Sequence, residues 1–255
     1  MQALDIDVSQ FGTSESNKSQ IESAMARGLP EFSPALVKNN ATFVVVGSGP
    51  SVIKYADQIR EDQEAGNIIC AIKGAHDWLI DNGITPDLFV SVEPRDRVEN
   101  LKNKNEQTVY MLASRVHPNV FDHLQGCKVV LWHSWSEEEE CKAIPSDKLK
   151  IGGGTTSGLR AVNIAYLMGF NKIKLYGFDS CLSEDKSIKR FTGEKPGAII
   201  DVIVGDKTFW CTYALAQQAQ DFQKLYSIMD ITVESVGDGL ISSIIEERKK
   251  LGFKT

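Results

Sequence analysis

From about residue 40 the chain alternates short apolar runs with amphipathic stretches. The runs at 43–46, 68–72, 88–92, 109–113, 129–132 and 173–176 are rich in Val, Ile and Leu and nearly continuous. Strands buried on both faces have this pattern, whereas half-buried ones alternate. Helical periodicity fills most of the gaps, at 51–65, 75–82, 119–124 and 157–168. The alternation predicts an α/β fold: a Rossmann-like open, mainly parallel sheet with helices on both faces. The last third changes character. "IIDVIVGDKTFWCT" (199–212) predicts a hairpin turning near Gly205-Asp206, then a helix at 213–229 and a strand at 231–235. A helix at 239–250 ends on Arg248, Lys249 and Lys250, which suit the negative pole of its dipole. Residues 1–37 read as a polar segment, loosely ordered to about residue 20, with a short helix near 20–27, and 38–255 read as one α/β domain. Two charged stretches lack an apolar period. "SEEEE" (136–140) predicts a solvated helix start, and "SEDKSIKRFTGEKPG" (183–197) a loop that is either a lid or a solvated connection.

Ligands of an open α/β sheet bind beyond the carboxyl ends of its strands. Those ends deliver Gly47-Ser48-Gly49-Pro50-Ser51, Lys73-Gly74, Glu93-Pro94-Arg95, Ser114-Arg115, His133-Ser134 and Gly177-Phe178-Asp179-Ser180. Polar and glycine residues thus gather on one edge. In "VVVGSGPSV", Pro50 suits a first helical position and leaves the amides of Ser51 and Val52 facing outward. In "IGGGTTSGLRAVNIAYLMGF" (151–170), a glycine run and three hydroxyl residues precede a helix, the arrangement that presents backbone N–H groups to an anion. The candidate phosphate binders are Gly47, Ser48, Gly49, Pro50 and Ser51 on the first loop. On the second they are Gly153, Gly154, Thr155, Thr156, Ser157 and Gly158, with Lys73 as a nearby cation. Val52 stands where a dinucleotide fingerprint has its third glycine, and Lys73 where a ribose-binding acid would follow the second strand. NAD is therefore disfavoured, and no GxxxxGK[ST] run is present. Two anion sites on one edge suit a nucleotide with one or two phosphates.

Three residues are candidates for chemistry. Asp179 and Glu93 end strands; Asp179 would orient a ribose hydroxyl, bind a metal or act as a base, with capping of the next turn as the alternative. His133 is a candidate general base, or else a structural histidine. Arg95 and Arg115 would offset phosphate charge.

Composition narrows the classes. With 28 Lys and Arg against 34 Asp and Glu, the net charge of -6 argues against a broad nucleic-acid footprint. No apolar run approaches a membrane span, and the N-terminus lacks a signal-peptide layout, so a cytoplasmic protein is expected. Five scattered cysteines and four histidines show neither CxxC nor HExxH spacing, which leaves a metal unassigned. Self-association is left open.

"VVVGSGPSV", "GAHDWLIDNGITPDLFVSVEPRDRVEN" and "IGGGTTSGLRAVNIAYLMGFNKIKLYGFDS" together resemble the superfamily of archaeal 6-hydroxymethylpterin pyrophosphokinases (MptE-like) and flagellin-modifying Maf proteins. The resemblance covers about 38–223, and short phage and bacterial members are similar down to "AQQAQDFQ" at 216–223. Its core is similar to bacterial sialyltransferases, whose GxGPS and T-S-G loops hold a CMP-sugar donor. By that similarity Gly47, Gly49, Pro50, Ser51, Thr156, Ser157 and Gly158 bind a donor. The resemblance implies a nucleotide-dependent transferase, with a CMP-type sugar as donor and a small molecule, glycan or protein as acceptor. Its alternatives are an ATP- and Mg²⁺-dependent pyrophosphokinase acting on a pterin-like alcohol, and a nucleotide-binding protein without turnover. Where the pyrophosphokinases carry T-D-L-D and A-H-G-D-N, this chain has "VSVEPRD" and "VLWHSWS", with fewer carboxylates for a metal. Sialyltransferase-type sites place Asn after the second strand, where this chain has Lys73. On the sequence alone, Gly49→Val and Gly154→Val are expected to abolish nucleotide binding in a folded protein. Asp179→Asn is expected to lose activity or affinity.

Overall fold

The computed structural model describes residues 14–35, 37–135, 138–186 and 197–252. Helix α1 (Ser14–Met25) precedes β1 (Asn39–Val46), α2 (Ala56–Glu64), β2 (Ile68–Ile72), α3 (Ala75–Asp81) and β3 (Leu88–Ser91). Then come β4 (Val109–Ala113), α4 (Pro118–His123), β5 (Lys128–Ser134), α5 (Glu138–Lys142), β6 (Lys150–Ile151), α6 (Ser157–Leu167) and β7 (Phe170–Tyr176). The hairpin β8 (Ile199–Val204) and β9 (Lys207–Thr212) leads to α7 (Tyr213–Ile228), β10 (Thr232–Val236) and α8 (Leu240–Lys250). The expected α/β sheet is present. Eight strands run parallel in the order β10-β7-β1-β2-β3-β4-β5-β6, and β8 and β9 form a separate antiparallel pair.

The apolar runs form the middle of this sheet because they are covered on both faces. Val44, Val45 and Val46 are fully buried, as are Cys70 and Ala71 on the neighbouring strand. Helix α6 lies across the sheet against β1, β2, β3, β6 and β7, and eight of its eleven residues are buried. One of them is Arg160, whose guanidinium donates to the carbonyls of Ile151 and Trp135. Burial brings its pKa down to about 10, with the nearby Arg115 charge acting in the same direction.

Several elements depart from the sequence reading. The expected helix at 51–65 is split into a 3-10 turn (Pro50–Lys54) and α2, separated by Tyr55 at φ -120°, ψ 17°. Helix α1 begins before residue 20 and is not loose there: Asn17, Ile21 and Ala24 are buried, and the helix packs on α4 and α5. The two-residue β6 and the short α5 carry too little apolar pattern to be read from sequence. Residues 1–13 and most of the 183–197 stretch lie outside the described residues.

The predicted solvated start at 136–140 needs correction at its last residue. Glu140 is buried, accepts from Asn17 Nδ2 at 2.5 Å and pairs with Arg115 at 3.1 Å. Arg115 is correspondingly engaged with this carboxylate. The pair and Asn17 fasten α1 and α5 to the end of β4. Removing one member of a buried charge pair strands the other, so Glu140→Ala should cost about 3 kcal/mol in a urea titration. A loss below about 1 kcal/mol, the range of exposed pairs, would return Glu140 to the solvated class.

Candidate functional site

The strand order reverses between β1 and β7. From β1 the chain steps outward through β2 to β6, and α6 then returns it to the opposite side of β1. Such a switch point opens a crevice beyond the strand ends. Here the two loops leaving β1 and β7 cross at backbone contact. Gly47 N–H donates to the Tyr176 carbonyl at 2.7 Å and Gly49 N–H to that of Gly177 at 2.9 Å. A Cβ on either glycine would lie 2.6 Å from the Gly177 oxygen. The glycines are therefore required first by the neighbouring backbone, which limits what their substitution can reveal.

Asp179 completes the crossing. Its buried carboxylate accepts the Ser51 N–H at 2.9 Å, and the Val52 N–H bonds Gly49 O at 3.2 Å. The expectation that both amides face outward is thus corrected: they cap and close the 3-10 turn that Pro50 begins. The Ser48 amide has no protein acceptor among the described residues.

A cleft of about 610 Å³, including its open mouth, lies beyond this crossing. One wall is Gly47–Pro50, and the floor carries Ile72 and Lys73. Thr156 and Gly158 enter from the start of α6, Gly177, Phe178, Ser180 and Cys181 from the end of β7, and Leu215 and Gln218 from α7. Lys73 (φ 51°) and Ser180 (φ 50°) hold left-handed backbone conformations without being glycine. Such strain collects where structure is fixed for a purpose.

The second glycine loop divides into residues that reach the cleft and residues that shape the loop. Gly153 (φ 111°) and Gly154 (φ 88°) make its turn, and a Cβ on Gly154 would lie 2.6 Å from Leu159 Cδ1. Both donors of Thr155 go to Asp221 of α7, the amide at 3.2 Å and the hydroxyl at 3.1 Å. The Ser157 hydroxyl accepts the Val92 amide at 3.2 Å and so ties α6 to the end of β3. A Cβ on Gly158 would lie 2.8 Å from Ile72 Cδ1 and run into the Phe178 ring. Thr156 caps α6 by accepting from the Leu159 amide. The first-turn amides of α6 complete the group, since a helix leaves those donors without intrahelical acceptors.

The other candidates lie apart from the cleft lining. Glu93 is held by Arg95 in a two-pronged pair at 2.7 and 2.8 Å. Burial raises the Glu93 pKa, but the Arg95 contacts and the Lys73 charge outweigh that and hold it below its ordinary value. Arg95 is accordingly occupied with an internal carboxylate. His133 ends β5, four strands from β1, roughly 19 Å at ordinary strand spacing. Its Nδ1 meets Ser114 Oγ at 3.1 Å and its Nε2 stands 3.7 Å from Glu31. Burial, the largest effect, keeps its pKa below the ordinary histidine value.

Of the lining residues outside the predicted binding set, Gly177, Phe178 and Ser180 belong to the strand end the sequence singled out, and Cys181 directly follows it. Leu215 had no such signal, and Gln218 had only the resemblance over 216–223, because the packing of α7 is what brings them to the cleft.

The Asp179 carboxyl has a raised pKa, chiefly from burial, partly offset by its bonds to Ser51. At low pH it is neutral in folded and unfolded chains alike, so burial costs nothing. As pH rises through its folded-state pKa, ionising it in place costs stability. Asp179→Asn escapes that cost and can still accept from Ser51. Its stability relative to wild type should therefore climb between pH 3 and pH 7 in urea titrations. A constant difference across that range would contradict the buried, raised carboxyl.

Comparison with known proteins agrees with this fold. The family described as "6-hydroxymethylpterin diphosphokinase MptE-like" matches residues 18–185. A 6-hydroxymethyl-7,8-dihydropterin pyrophosphokinase of Methanothermobacter thermautotrophicus is 28% identical over 140 residues. That alignment takes in 55% of this chain and 58% of the relative. The solved Maf glycosyltransferase of Magnetospirillum magneticum superposes on 96% of this chain with a TM-score of 0.67 at 15% identity, using 42% of its own length. At that identity the likeness is one of fold. The chain spans about half the length of these relatives, and the match over 18–185 makes it a member of the MptE-like family.

Proposed function

We propose that the chain is a transferase that binds a nucleotide-activated donor in the cleft at the β1/β7 switch point, with a CMP-type sugar as the leading donor class. One observation carries this reading: among the described residues the cleft is lined by the two glycine loops, Thr156 and Lys73, and by no Asp or Glu. Three acids around it make contacts of their own, Asp179 with Ser51, Glu93 with Arg95 and Asp221 with Thr155, and Glu93 also feels the Lys73 charge. Such a lining favours phosphate held by protein donors directly. In glycosyl transfer from a nucleotide sugar, the bond between the sugar carbon and phosphate oxygen breaks and the nucleotide leaves with the negative charge. Donors and a cation placed there stabilise the charge as it develops.

The second reading, an ATP-dependent pyrophosphokinase, is favoured by the name of the curated relative. That chemistry ordinarily holds Mg²⁺ on carboxylates beside the phosphates. Among the described residues no Asp or Glu lines the cleft, so the lining fits that reading less well. A binding protein without turnover is the third class, and assays of donor hydrolysis separate it from both enzymes.

A thermal-shift panel of CMP, CDP, UDP, GDP and ATP, each with Mg²⁺ and with chelator, discriminates these readings. A ligand at 100 times its Kd stabilises by about 2.7 kcal/mol. The proposal expects a pyrimidine nucleotide to act without Mg²⁺; a shift by ATP that needs Mg²⁺ favours the kinase, and no shift at all contradicts nucleotide binding. Lys73→Asn tests the cation, because Asn tolerates the left-handed backbone there. It should weaken the effective nucleotide by about tenfold or more, the size of one charged hydrogen bond. Asp179→Asn should leave affinity within about threefold, since Asn and Asp cap alike. The reverse ranking would make Asp179 the ligand-binding group.

A further inference from the structure

Helix α7 begins beyond the stretch matched by the family and closes the cleft from outside the sheet. Residues one turn apart on it hold the glycine loop. Asp221 takes both Thr155 donors, with Gln217 Nε2 bonding its other oxygen at 2.8 Å. Gln218 Nε2 donates to Thr156 Oγ1 at 3.3 Å, and the same oxygen accepts the Leu159 amide at 3.3 Å. A threonine hydroxyl has two acceptor sites and one proton. Two N–H donors fill the acceptor sites, so the proton is committed to a further acceptor. Both Thr156 and Gln218 line the cleft.

We propose that Gln218 is a positioning residue that fixes the Thr156 hydroxyl as a donor to an anionic ligand group, a phosphate oxygen in the cleft. This rests on the nucleotide reading above and adds to it the device that selects a phosphate over a neutral group. Donation from Gln218 keeps the hydroxyl from turning its lone pairs toward the ligand, where they would repel an anion. A glutamate at this position reverses the arrangement: its carboxylate accepts the Thr156 proton and adds a negative charge.

Calorimetric titration of the full chain with CMP against cytidine, and ATP against adenosine, tests the assignment. Wild type should bind a nucleotide more tightly than its nucleoside. Gln218→Glu should weaken that nucleotide by about thirtyfold, combining the lost donor with the added charge. Nucleoside affinity should change by less than about threefold, a loss too small for a broken hydrogen bond to a charged group. The nucleotide deficit relative to wild type should shrink as pH falls through the carboxyl range, because a protonated glutamate can donate again. Gln218→Ala, which only releases the hydroxyl, should lose about fivefold on the nucleotide alone. Equal losses on nucleotide and nucleoside, or no loss, would overturn the assignment and leave the cleft reading standing. A wild type that binds both equally would overturn the assignment and, with it, the reading that the lining holds phosphate. A wild type that binds none of CMP, CDP, UDP, GDP and ATP overturns the nucleotide reading and this assignment with it.

Discussion

The crossing of the loops that leave β1 and β7 is the constraint on which the cleft depends. Two parallel neighbours diverge there, and their backbones stay in contact for two further hydrogen bonds, from Gly47 and Gly49 to Tyr176 and Gly177. Side chains at those glycines would push the loops apart. Asp179 then reaches back to the Ser51 amide and fixes the 3-10 turn against the sheet. Gly239 packs on the Asp179 backbone from the other side: a Cβ there would lie 2.7 Å from the Asp179 carbonyl oxygen, while Leu240 N–H donates to that oxygen at 2.8 Å. One buried carboxylate and a few glycines thereby join the loops that follow β1, β7 and β10 in the crevice wall.

The opposite wall is set by α7. Its Asp221 and Gln218 grip Thr155 and Thr156, while Leu215 supplies an apolar surface one turn earlier. The glycine loop is thus shaped from two directions, by its own left-handed residues and by a helix far along the chain. This division of labour explains why few of its polar groups remain for a ligand. The Ser48 amide and the first-turn amides of α6 are donors, and Lys73 brings a positive charge to the lining, which favours an anion.

Much of the fold was legible because burial on both faces leaves a plain mark. Val44–Val46 and Ile68–Ile72 are continuous apolar runs, and six such runs with helical stretches in most of the gaps point to a parallel sheet covered on both faces. The two glycine loops were legible as special backbone for the same reason: only particular geometries need glycine in such density. Their separate roles were not legible. The sequence places Ser51 and Asp179 128 positions apart, and nothing local shows that the acid consumes the amide intended for phosphate. Glu140 and Asn17 are 123 positions apart, so an acidic run that looks solvated hides one buried member. Gln218 lies in "AQQAQDFQ", a stretch the family resemblance marked, but its contact with Thr156, 62 positions away, follows from the packing of α7 and not from a local pattern. His133 and Glu93 were chosen because strand ends lie on one edge, yet that edge is eight strands wide and the crevice lies between β7 and β1, the second and third strands in that order.

Hydrogen–deuterium exchange of the full chain, with and without saturating CMP, tests the central claim that the crevice between β1 and β7 is the nucleotide site. The account predicts slowed exchange in peptides spanning 47–51, 73–76, 156–160 and 177–181, with 130–134 around His133 unchanged. Protection confined to the β4–β6 side of the sheet edge, with the glycine loops exchanging as in the free protein, would contradict it.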